Sequence, residues 1–475
     1  MQTLLHKSKV KKQSEKKWKY FFYTLVGFWA FVLISTVWGR FSGAYGLVDT
    51  SLDLSFLTIP LLIIVMIYSG ATLFIFVTHL VTLKRAKKYQ GRLCSEAGSY
   101  YTLTKTNIAY SHEKLCSIII PSRNEESVIR RTVLNALKQS YSNLEIIVVC
   151  HNCTDKTYEE AKVGDSRVRV LDLHTKETGK GIALNYGAKM ARGKYLLILD
   201  GDGFLSDDFI EKAMPMFKDN YSAVQGRYIP SNRNYNFLTR LLSIEGDLWS
   251  TPFMTTRSIL GKMCPLGGTG YIVRKDILEE VGMFKNHLVD DFELTFRLLK
   301  NNHKIAFAPL CIDYDEKPPT LDIMFRQRAR WAKGFLTLLK SRITKPKDIL
   351  GHISWLWPIA TIASLVMLII PAYSSIHYMI FEYYPYTYSY LPLDIWTILT
   401  ASIFGLQGAV LVSEHGVKGL QYIPYLPVYN VFSQYCFVTY IKAFFVKSWG
   451  STKTEHGFTK IPEHLVRREE TTKTL

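Results

Sequence analysis

Cysteine is scarce in this chain, at seven of 475 residues. The two residues with CxxC spacing, Cys150 and Cys153, are followed by no second cysteine pair and no histidine pair at the spacing of a zinc site. The low count excludes a disulfide scaffold, and nothing in the spacing requires a disulfide. A redox or metal role for the CxxC pair stays open beside the simpler interpretation, a structural loop.

Internal repeats and low-complexity tracts are also absent, which excludes a repeat array. Acidic residues are outnumbered, with 40 Asp and Glu against 58 Lys and Arg, so the formal net charge is +18. The excess positive charge crowds at the ends of apolar runs and does not form the basic face of a nucleic-acid-binding domain. We therefore expect a lipid bilayer as a partner and no nucleic acid.

Two apolar runs in the first part of the chain are long enough to span a bilayer. Residues 20–38 follow a lysine-rich segment, 1–19, and residues 57–83 precede a basic stretch, 84–88. The loop between the runs is poorer in positive charge. The positive-inside rule predicts two transmembrane helices within residues 20–88, with segment 1–19 and the chain after Leu83 in the cytoplasm.

Membrane segments are predicted again in residues 346–447. Residues 353–380 and 395–412 predict two spans, and the tyrosine-rich loop between them has no lysine or arginine, as expected of an outer loop. A last aromatic segment, 422–446, is broken by prolines and a lysine, so it either crosses the membrane or lies in its interface. The prediction is a multi-pass protein of the cell membrane with a cytoplasmic tail, 448–475.

Alternating strand and helix patterns fill the expected cytoplasmic domain, residues 89–320. Apolar residues at helical spacing predict helices at 126–139 and 179–191, and short apolar runs predict buried strands at 115–121, 144–149, 168–173 and 195–199. Repeated β-α units of this size predict an α/β fold, with a mostly parallel sheet and helices on both faces.

Polar turns follow three of the predicted strands, where an open α/β sheet binds its ligands. These turns are 122–125, 150–155 and Asp200-Gly201-Asp202. Asp200 and Asp202 are two residues apart, so both carboxylates can share one hard cation, and Gly201 allows a phosphate to approach. Taken alone, the last motif also fits an ordinary turn rich in Asp and Gly.

An acidic pair, Asp290 and Asp291, precedes a predicted helix at residues 292–299. The pair fits a helix N-terminus, where carboxylates cap the chain and complement the helix dipole. It equally fits a general base that deprotonates a hydroxyl beside a metal-bound donor.

The stretch 321–339 is amphipathic and lies within a predicted interface segment, 321–345. Offsets of three and four place Gln327, Arg330 and Trp331 on one helical face. An aromatic ring beside an amide and an arginine suits a sugar acceptor, and the arginine can stabilise a departing diphosphate. A basic amphipathic helix on the inner membrane face is the simpler interpretation.

Over residues 114–339 the sequence resembles the membrane-embedded inverting glycosyltransferases of family 2, a group that includes cellulose, hyaluronan and poly-N-acetylglucosamine synthases. The resemblance rests on an ordered series of motifs: PSRNEE, NCTDKT, GKGIALNYGAK, DGD, GGTGYIVRKDIL, VDDFELT, EKPPTL and QRARW, the last read as QxxRW. It implies a GT-A type, Rossmann-like fold and a nucleotide-sugar donor, with a UDP-sugar expected.

The resemblance also implies roles for individual residues. Asp200 and Asp202 match the pair that holds the nucleotide diphosphate through Mg²⁺ or Mn²⁺, and Asp291, with Asp290 beside it, matches the catalytic base. The acceptor and diphosphate site is implied to comprise Gln327, Arg330 and Trp331. The remaining residues implied to contact the donor are Asn124, Glu125, Asn152, Asp155 and Lys180.

One turn departs from the family pattern. The family usually has adjacent aspartates after the second strand, one of them touching the base, whereas this chain has Cys150-His151-Asn152. Asp155 follows in the same turn, and His151 or Asn152 offers a hydrogen bond to a uracil edge. This turn therefore leaves open which nucleotide base the donor carries.

The resulting hypothesis is a single-displacement transfer of a sugar to a growing polysaccharide, with secretion through the spans of the same chain. The runner-up is the addition of one sugar to a lipid acceptor, which enzymes resembling ceramide glucosyltransferase perform with similar motifs. A membrane scaffold that keeps the fold without activity is a third hypothesis, which the intact acidic motifs and QxxRW disfavour.

Overall fold

The computed structural model describes residues 73–83, 88, 90–91, 114–261, 264–340, 380, 393–433, 435–443 and 445–446. The chain divides into two compact units. One unit, which we call the sheet unit, comprises Thr78–Thr344 and Phe445–Leu475. The other, which we call the helical unit, comprises Met1–Val77 and Lys345–Phe444.

Eight strands form one sheet in the sheet unit. In chain order they are β1 (Cys116–Ser122), β2 (Leu144–His151), β3 (Val168–Leu173), β4 (Tyr195–Ile198), β5 (Phe204–Leu205), β6 (Ala223–Pro230), β7 (Tyr271–Arg274) and β8 (Ile305–Asp315). Their spatial order is β3-β2-β1-β4-β7-β6-β8-β5. Parallel pairing joins the first four strands and also β6 with β8, whereas β7 and β5 run antiparallel to their neighbours.

The mostly parallel α/β sheet predicted from the sequence is confirmed for β1 to β4, whose bounds lie within two residues of the predicted ones. The sheet as a whole is mixed, which corrects the simpler prediction. The strand β7 lies between β4 and β6 and is antiparallel to both. It begins at the edge of the sheet where β4 ends, since Tyr271 pairs with Ile198. We call this edge, where the parallel strands end, the carboxyl edge.

Nine α-helices accompany the sheet within the described part of this unit from residue 114 onward. They are α1 (Ile129–Leu137), α2 (Thr157–Ala161), α3 (Lys180–Met190), α4 (Phe209–Ala213), α5 (Phe237–Glu245), α6 (Thr251–Gly261), α7 (Lys275–Glu280), α8 (Asp290–Lys300) and α9 (Leu321–Lys340). The helices predicted at 126–139, 179–191, 292–299 and 321–339 correspond to α1, α3, α8 and α9. A π-helical turn, Gly246–Ser250, joins α5 to α6.

The core has two layers, one on each face of the sheet. Ile118 belongs to a buried cluster that includes Ile129 of α1, whereas its neighbour Ile119 belongs to a second cluster that includes Leu184 of α3. Successive side chains of a strand point to opposite faces, so an unbroken apolar run such as β1 requires cover on both sides. The predicted placement of helices on both faces is confirmed.

A bulge in β8 directs the end of this strand. Gly226 of β6 pairs with Ala308, but the next residue, Arg227, pairs with Ile312. The backbone N–H of Leu310, inside the bulge, donates to Gln90 Oε1 at 2.8 Å. Bulges turn side chains toward functional edges, and beyond this one β8 reaches the carboxyl edge.

In the helical unit, four helical segments follow one another within residues 393–443: Leu393–His415, the 3₁₀ segment Gly416–Tyr425, Leu426–Phe432 and Tyr435–Ala443. The amides of Gln407 and Asn430 exchange hydrogen bonds of 3.1 and 2.9 Å, which joins the first segment to the third. Unpaired amides are costly to bury, so this reciprocal pair satisfies both.

The predicted spans stay predictions. Residues 20–38, residues 353–379 and most of 57–83 lie outside the described residues, whereas 395–412 lie within the helix Leu393–His415. No helix of the described part of the chain has the length and apolar character that a membrane crossing requires.

Candidate active site

The polar turns after β1 and β2 lie together at the carboxyl edge, joined by hydrogen bonds. Asn124 Oδ1 accepts from the backbone N–H of Thr154 at 2.8 Å. The backbone N–H of Glu125 donates to Thr157 Oγ1 at 2.7 Å. These bonds follow from the parallel pairing of β1 with β2, which brings both strand ends to one edge. The predicted meeting of the two turns is confirmed.

Two of the residues predicted to contact the donor hold loops in this structure. The Asn152 side chain accepts from the N–H of Thr175 at 2.9 Å and donates to the carbonyl oxygen of the same residue at 2.9 Å. Asp155 accepts from the backbone N–H groups of Thr157 and Glu126 at 3.0 and 3.2 Å. Short polar side chains often bond to nearby backbone in this way. Their donor contacts stay predictions.

The Asp200-Gly201-Asp202 turn packs directly against the turn after β1. A Cβ atom on Gly201 would lie 1.5 Å from Glu125 Oε2, so a larger residue here would displace the Glu125 side chain. The hydroxyl of Thr132, on α1, donates to the carbonyl oxygen of Gly201 at 2.7 Å. Glu125 therefore lies beside the two aspartates, as the sequence predicts.

Lys180 joins Asp200 to the turn Gly267–Gly270, which we call the glycine turn. Its ammonium Nζ lies 2.5 Å from Asp200 Oδ1 and donates to the carbonyl oxygen of Gly268 at 2.8 Å. Burial lowers the pKa of Lys180, but the carboxylates of Asp200 and Asp290 outweigh burial and raise it, so the ammonium stays charged.

The acidic pair occupies the first turn of α8 and faces the glycine turn. Asp291 Oδ1 accepts from the N–H of Phe292 at 2.8 Å, and a Cβ atom on Gly268 would lie 3.4 Å from Asp291 Oδ2. Asp290 is buried, and its Oδ2 atom has no hydrogen bond. Burial raises the pKa of both carboxyls, and the Asp290 charge helps to raise that of Asp291 to about 7. A carboxyl of this pKa suits a general base near neutral pH.

The raised pKa of Asp291 predicts a stability effect with a definite sign. Its pKa rises from the ordinary 3.8 to about 7 in the folded protein. Between pH 3.8 and pH 7 the folded chain therefore keeps the Asp291 proton, whereas the unfolded chain has lost it. Stability therefore falls as the pH rises through this window. A difference of about 3 in pKa corresponds to about 4 kcal/mol at most, which Asp291→Asn would relieve.

Urea unfolding in EDTA, at pH 4, 6 and 8, measures this effect. The free energy of unfolding of Asp291→Asn should match that of wild type at pH 4 and exceed it increasingly toward pH 8. A gap that does not change with pH would contradict the raised pKa.

Residues from α9 support the loop before α8. The Arg330 guanidinium donates to the carbonyl oxygen of Leu288 at 3.0 Å, and burial lowers its pKa against the opposing effect of Asp290 and Asp291. One face of the Trp331 ring is covered by the Arg328 guanidinium, 4.3 Å from the ring centroid. Arg328 also bonds to Glu245 at 3.1 Å. Gln327 lies on the same helix, one turn before Trp331.

Two acidic residues that sequence reasoning missed, Asp313 and Asp315, end β8 at the carboxyl edge. The Asp313 side chain is fully buried, and the Thr269 hydroxyl is a nearby hydrogen-bonding side chain. Burial, Asp315, Asp200 and Asp202 all raise its pKa. The only signal in the sequence was two acids at the end of an apolar run.

This acidic surrounding fits a divalent cation. The described residues contain no group of three or more His, Cys, Asp or Glu side chains that could hold a metal alone. Mg²⁺ commonly takes one or two carboxylates and completes its shell with waters and substrate phosphates. Asp200 and Asp202 supply two carboxylates, and their charges are among the causes that raise the pKa of the neighbouring Asp313.

A family model described as "Glycosyltransferase like family 2" matches residues 113–334. Residues 113–334 are thus similar to a family 2 glycosyltransferase domain. The resemblance predicted from the motifs is confirmed, and the matched range agrees with the predicted range 114–339. The mixed α/β architecture of this glycosyltransferase-like domain agrees with the GT-A-like fold that the resemblance implies.

Relatives of two kinds share this glycosyltransferase-like domain. Beta-monoglucosyldiacylglycerol synthase of Nostoc sp. (strain PCC 7120 / SAG 25.82 / UTEX 2576) is 31% identical over 233 residues, 46% of this chain and 48% of that protein. Poly-beta-1,6-N-acetyl-D-glucosamine synthase of Staphylococcus epidermidis is 27% identical over 226 residues, 46% of this chain and 54% of that protein. The chain spans about half the length of the curated relatives it matches.

Among solved structures, the chain is similar to the mannosyltransferase PcManGT from Pyrobaculum calidifontis, in complex with GDP-Man and Mn²⁺. The alignment covers 82% of this chain and 100% of that chain, with 18% identity and a TM-score of 0.49.

Proposed function

We propose that this protein is a membrane-bound inverting β-glycosyltransferase that transfers a sugar from a nucleotide-sugar donor, UDP-linked, to a growing polysaccharide. The observation that carries the proposal is the meeting of Asp291, Lys180 and Asp200 around Gly268. A carboxyl that can accept a proton thus lies beside the pair suited to a metal-bound diphosphate. The predicted spans place the catalytic domain on the cytoplasmic side of the cell membrane.

The donor side of the proposed reaction uses Asp200 and Asp202. They would hold Mg²⁺ or Mn²⁺, which neutralises the diphosphate leaving group when bound. Lys180 adds a permanent positive charge to this side and orients the Asp200 carboxylate. Glu125 lies against Gly201 and limits the space beside the turn.

The acceptor side uses the acidic pair and α9. An acceptor hydroxyl oxygen forms a bond to the anomeric carbon, while the bond from that carbon to the diphosphate oxygen breaks and its electron pair leaves with the diphosphate. Asp291 takes the hydroxyl proton. Attack opposite the leaving group inverts the anomeric configuration. Arg330 helps to balance the developing negative charge, and Gln327 and Trp331 contact the acceptor.

A second candidate function is the transfer of a single sugar to a lipid. It is favoured by the similarity to a glucosyldiacylglycerol synthase. The polysaccharide synthase relative matches an equal share of this chain at a slightly lower identity. Secretion of a polymer through the predicted spans belongs to the first candidate alone. The third hypothesis, an inactive membrane scaffold, would be excluded if the protein transferred sugar from any nucleotide-sugar donor.

The product formed from a radiolabelled donor separates the two candidates. We incubate the purified full-length protein with a panel of nucleotide sugars, Mn²⁺ and membrane lipids, and then resolve products by thin-layer chromatography and gel electrophoresis. The first candidate predicts label in a polymer that grows with time. A single organic-soluble spot of constant mobility would identify the glycolipid alternative.

A further inference from the structure

The hydroxyl of Thr295, in the VDDFELT motif, makes two hydrogen bonds inside the core. It donates to the backbone carbonyl oxygen of Asp291 at 2.8 Å and accepts from the N–H of Leu266 at 2.9 Å. Thr295 is 1% exposed. A threonine in a helix commonly bonds to the carbonyl four residues earlier. The second bond is unusual because it leads out of α8 to the residue before the glycine turn.

The glycine turn is fixed on its other sides as well. Tyr228 Oη donates to the carbonyl oxygen of Gly267 at 2.6 Å, and Gln225 Oε1 accepts from the N–H of Gly267 at 2.9 Å. The Thr269 hydroxyl accepts from the backbone N–H of Asp200 at 3.0 Å. The turn therefore has little freedom to move relative to β4 and β6.

A continuous chain of contacts thus runs from the donor side to the base. Asp200 pairs with Lys180, and Lys180 bonds to the glycine turn. Leu266, at the start of this turn, bonds to Thr295, which holds the backbone of Asp291. A shift of about 1 Å between reacting groups costs about 10²-fold in rate.

We propose that Thr295 is a positioning residue that fixes the distance between Asp291 and the donor side through the glycine turn. This inference rests on the proposed function. Without the hydroxyl, the start of α8 and the glycine turn lose their direct bond, while the donor side keeps its own contacts. Asp291 then meets the acceptor hydroxyl in poorer alignment, and water competes better for the anomeric carbon.

The test compares Thr295→Val, which keeps the shape and removes the hydroxyl, with Thr295→Ser, which keeps the hydroxyl. We expect Thr295→Val to lower sugar transfer by about 10- to 100-fold. Its Kd for UDP with Mn²⁺ should stay within about twofold of wild type, and the share of donor that is hydrolysed should rise. Thr295→Ser should restore the wild-type ratio of transfer to hydrolysis.

Thr255→Val is the matched control. Thr255 is equally buried, lies in α6 and donates to the carbonyl oxygen of Thr251, four residues earlier, at 2.7 Å. This control should change neither transfer nor its ratio to hydrolysis. If Thr295→Val does not fold, Thr295→Ala makes the same comparison with a smaller side chain.

The outcomes separate the inference from the function on which it rests. If wild-type protein transfers no sugar from any donor, the proposed function fails. If wild type transfers sugar and folded Thr295→Val keeps the wild-type ratio, the inference is overturned. A serine variant as impaired as the valine variant overturns it too, as does a loss of UDP affinity equal to the loss of transfer.

Discussion

Asp291→Asn should lower sugar transfer by about 10²–10⁴-fold, the range that general-base assistance contributes. An asparagine keeps the size of the side chain and an oxygen that accepts from the N–H of Phe292, but it takes no proton from the acceptor. The Kd for UDP with Mn²⁺ should remain near the wild-type value because Asp200, Asp202 and Lys180 are unchanged. Initial rates with saturating donor, together with calorimetric titration of UDP, measure both quantities.

Asp276→Asn is the matched control for this variant. Asp276 lies in the first turn of α7 and accepts from the N–H of the next residue, Ile277, at 3.0 Å, as Asp291 does in α8. It pairs with Arg274, at the end of β7 remote from the carboxyl edge. Its substitution should leave transfer unchanged. An Asp291→Asn variant with wild-type turnover would remove this residue from the mechanism.

Asp200→Asn should abolish most cation-dependent donor binding and lower turnover by about 10³-fold. A metal ion commonly contributes several kcal/mol of charge stabilisation in the transition state, and each 1.36 kcal/mol corresponds to tenfold in rate. The substitution removes one of two carboxylates suited to the cation and leaves Lys180 without its partner at 2.5 Å. Titration of Mn²⁺ in the presence of UDP measures the loss.

The control for this second variant is Asp165→Asn. Asp165 forms an ion pair with Arg167 at 2.8 Å, before the start of β3 and thus away from the carboxyl edge. Its substitution removes an ion pair whose N···O distance is similar to that of Lys180 and Asp200, but which lies outside the candidate site. Equal Mn²⁺ affinity in Asp200→Asn and Asp165→Asn would exclude Asp200 as a metal ligand.

The sequence predicts those parts of the fold that follow from local pattern. β1 to β4 are short apolar runs closed by polar turns, and parallel pairing brings such turns to one edge whatever the rest of the chain does. For the same reason Asp200 and Glu125 could be placed together from the sequence. The helices α8 and α9 follow from apolar residues at helical spacing.

The sequence does not reveal features that depend on distant partners. β5 is two residues long, and it pairs with the part of β8 that follows the bulge at Leu310. Asp313 follows this bulge, whose register shift cannot be read from the sequence. Helical spacing also does not show that Arg328 covers Trp331, since that contact depends on Glu245 holding the guanidinium.

Short polar side chains in turns are ambiguous for a related reason. Asn152 and Asp155 fit both a donor contact and a loop bond, because the same oxygen and amide groups serve either role. Their bonds to the backbone of Thr175 and Thr157 could not be predicted without knowing how the loops fold.

The anomeric configuration of the product tests the central claim most directly. Purified full-length protein is supplied with α-linked UDP-sugars and Mn²⁺, and the newly formed bond is assigned by proton NMR. We predict a β-linked product in wild type and almost none in Asp291→Asn. An α-linked product, or equal product from the variant, would contradict a single displacement with Asp291 as the base.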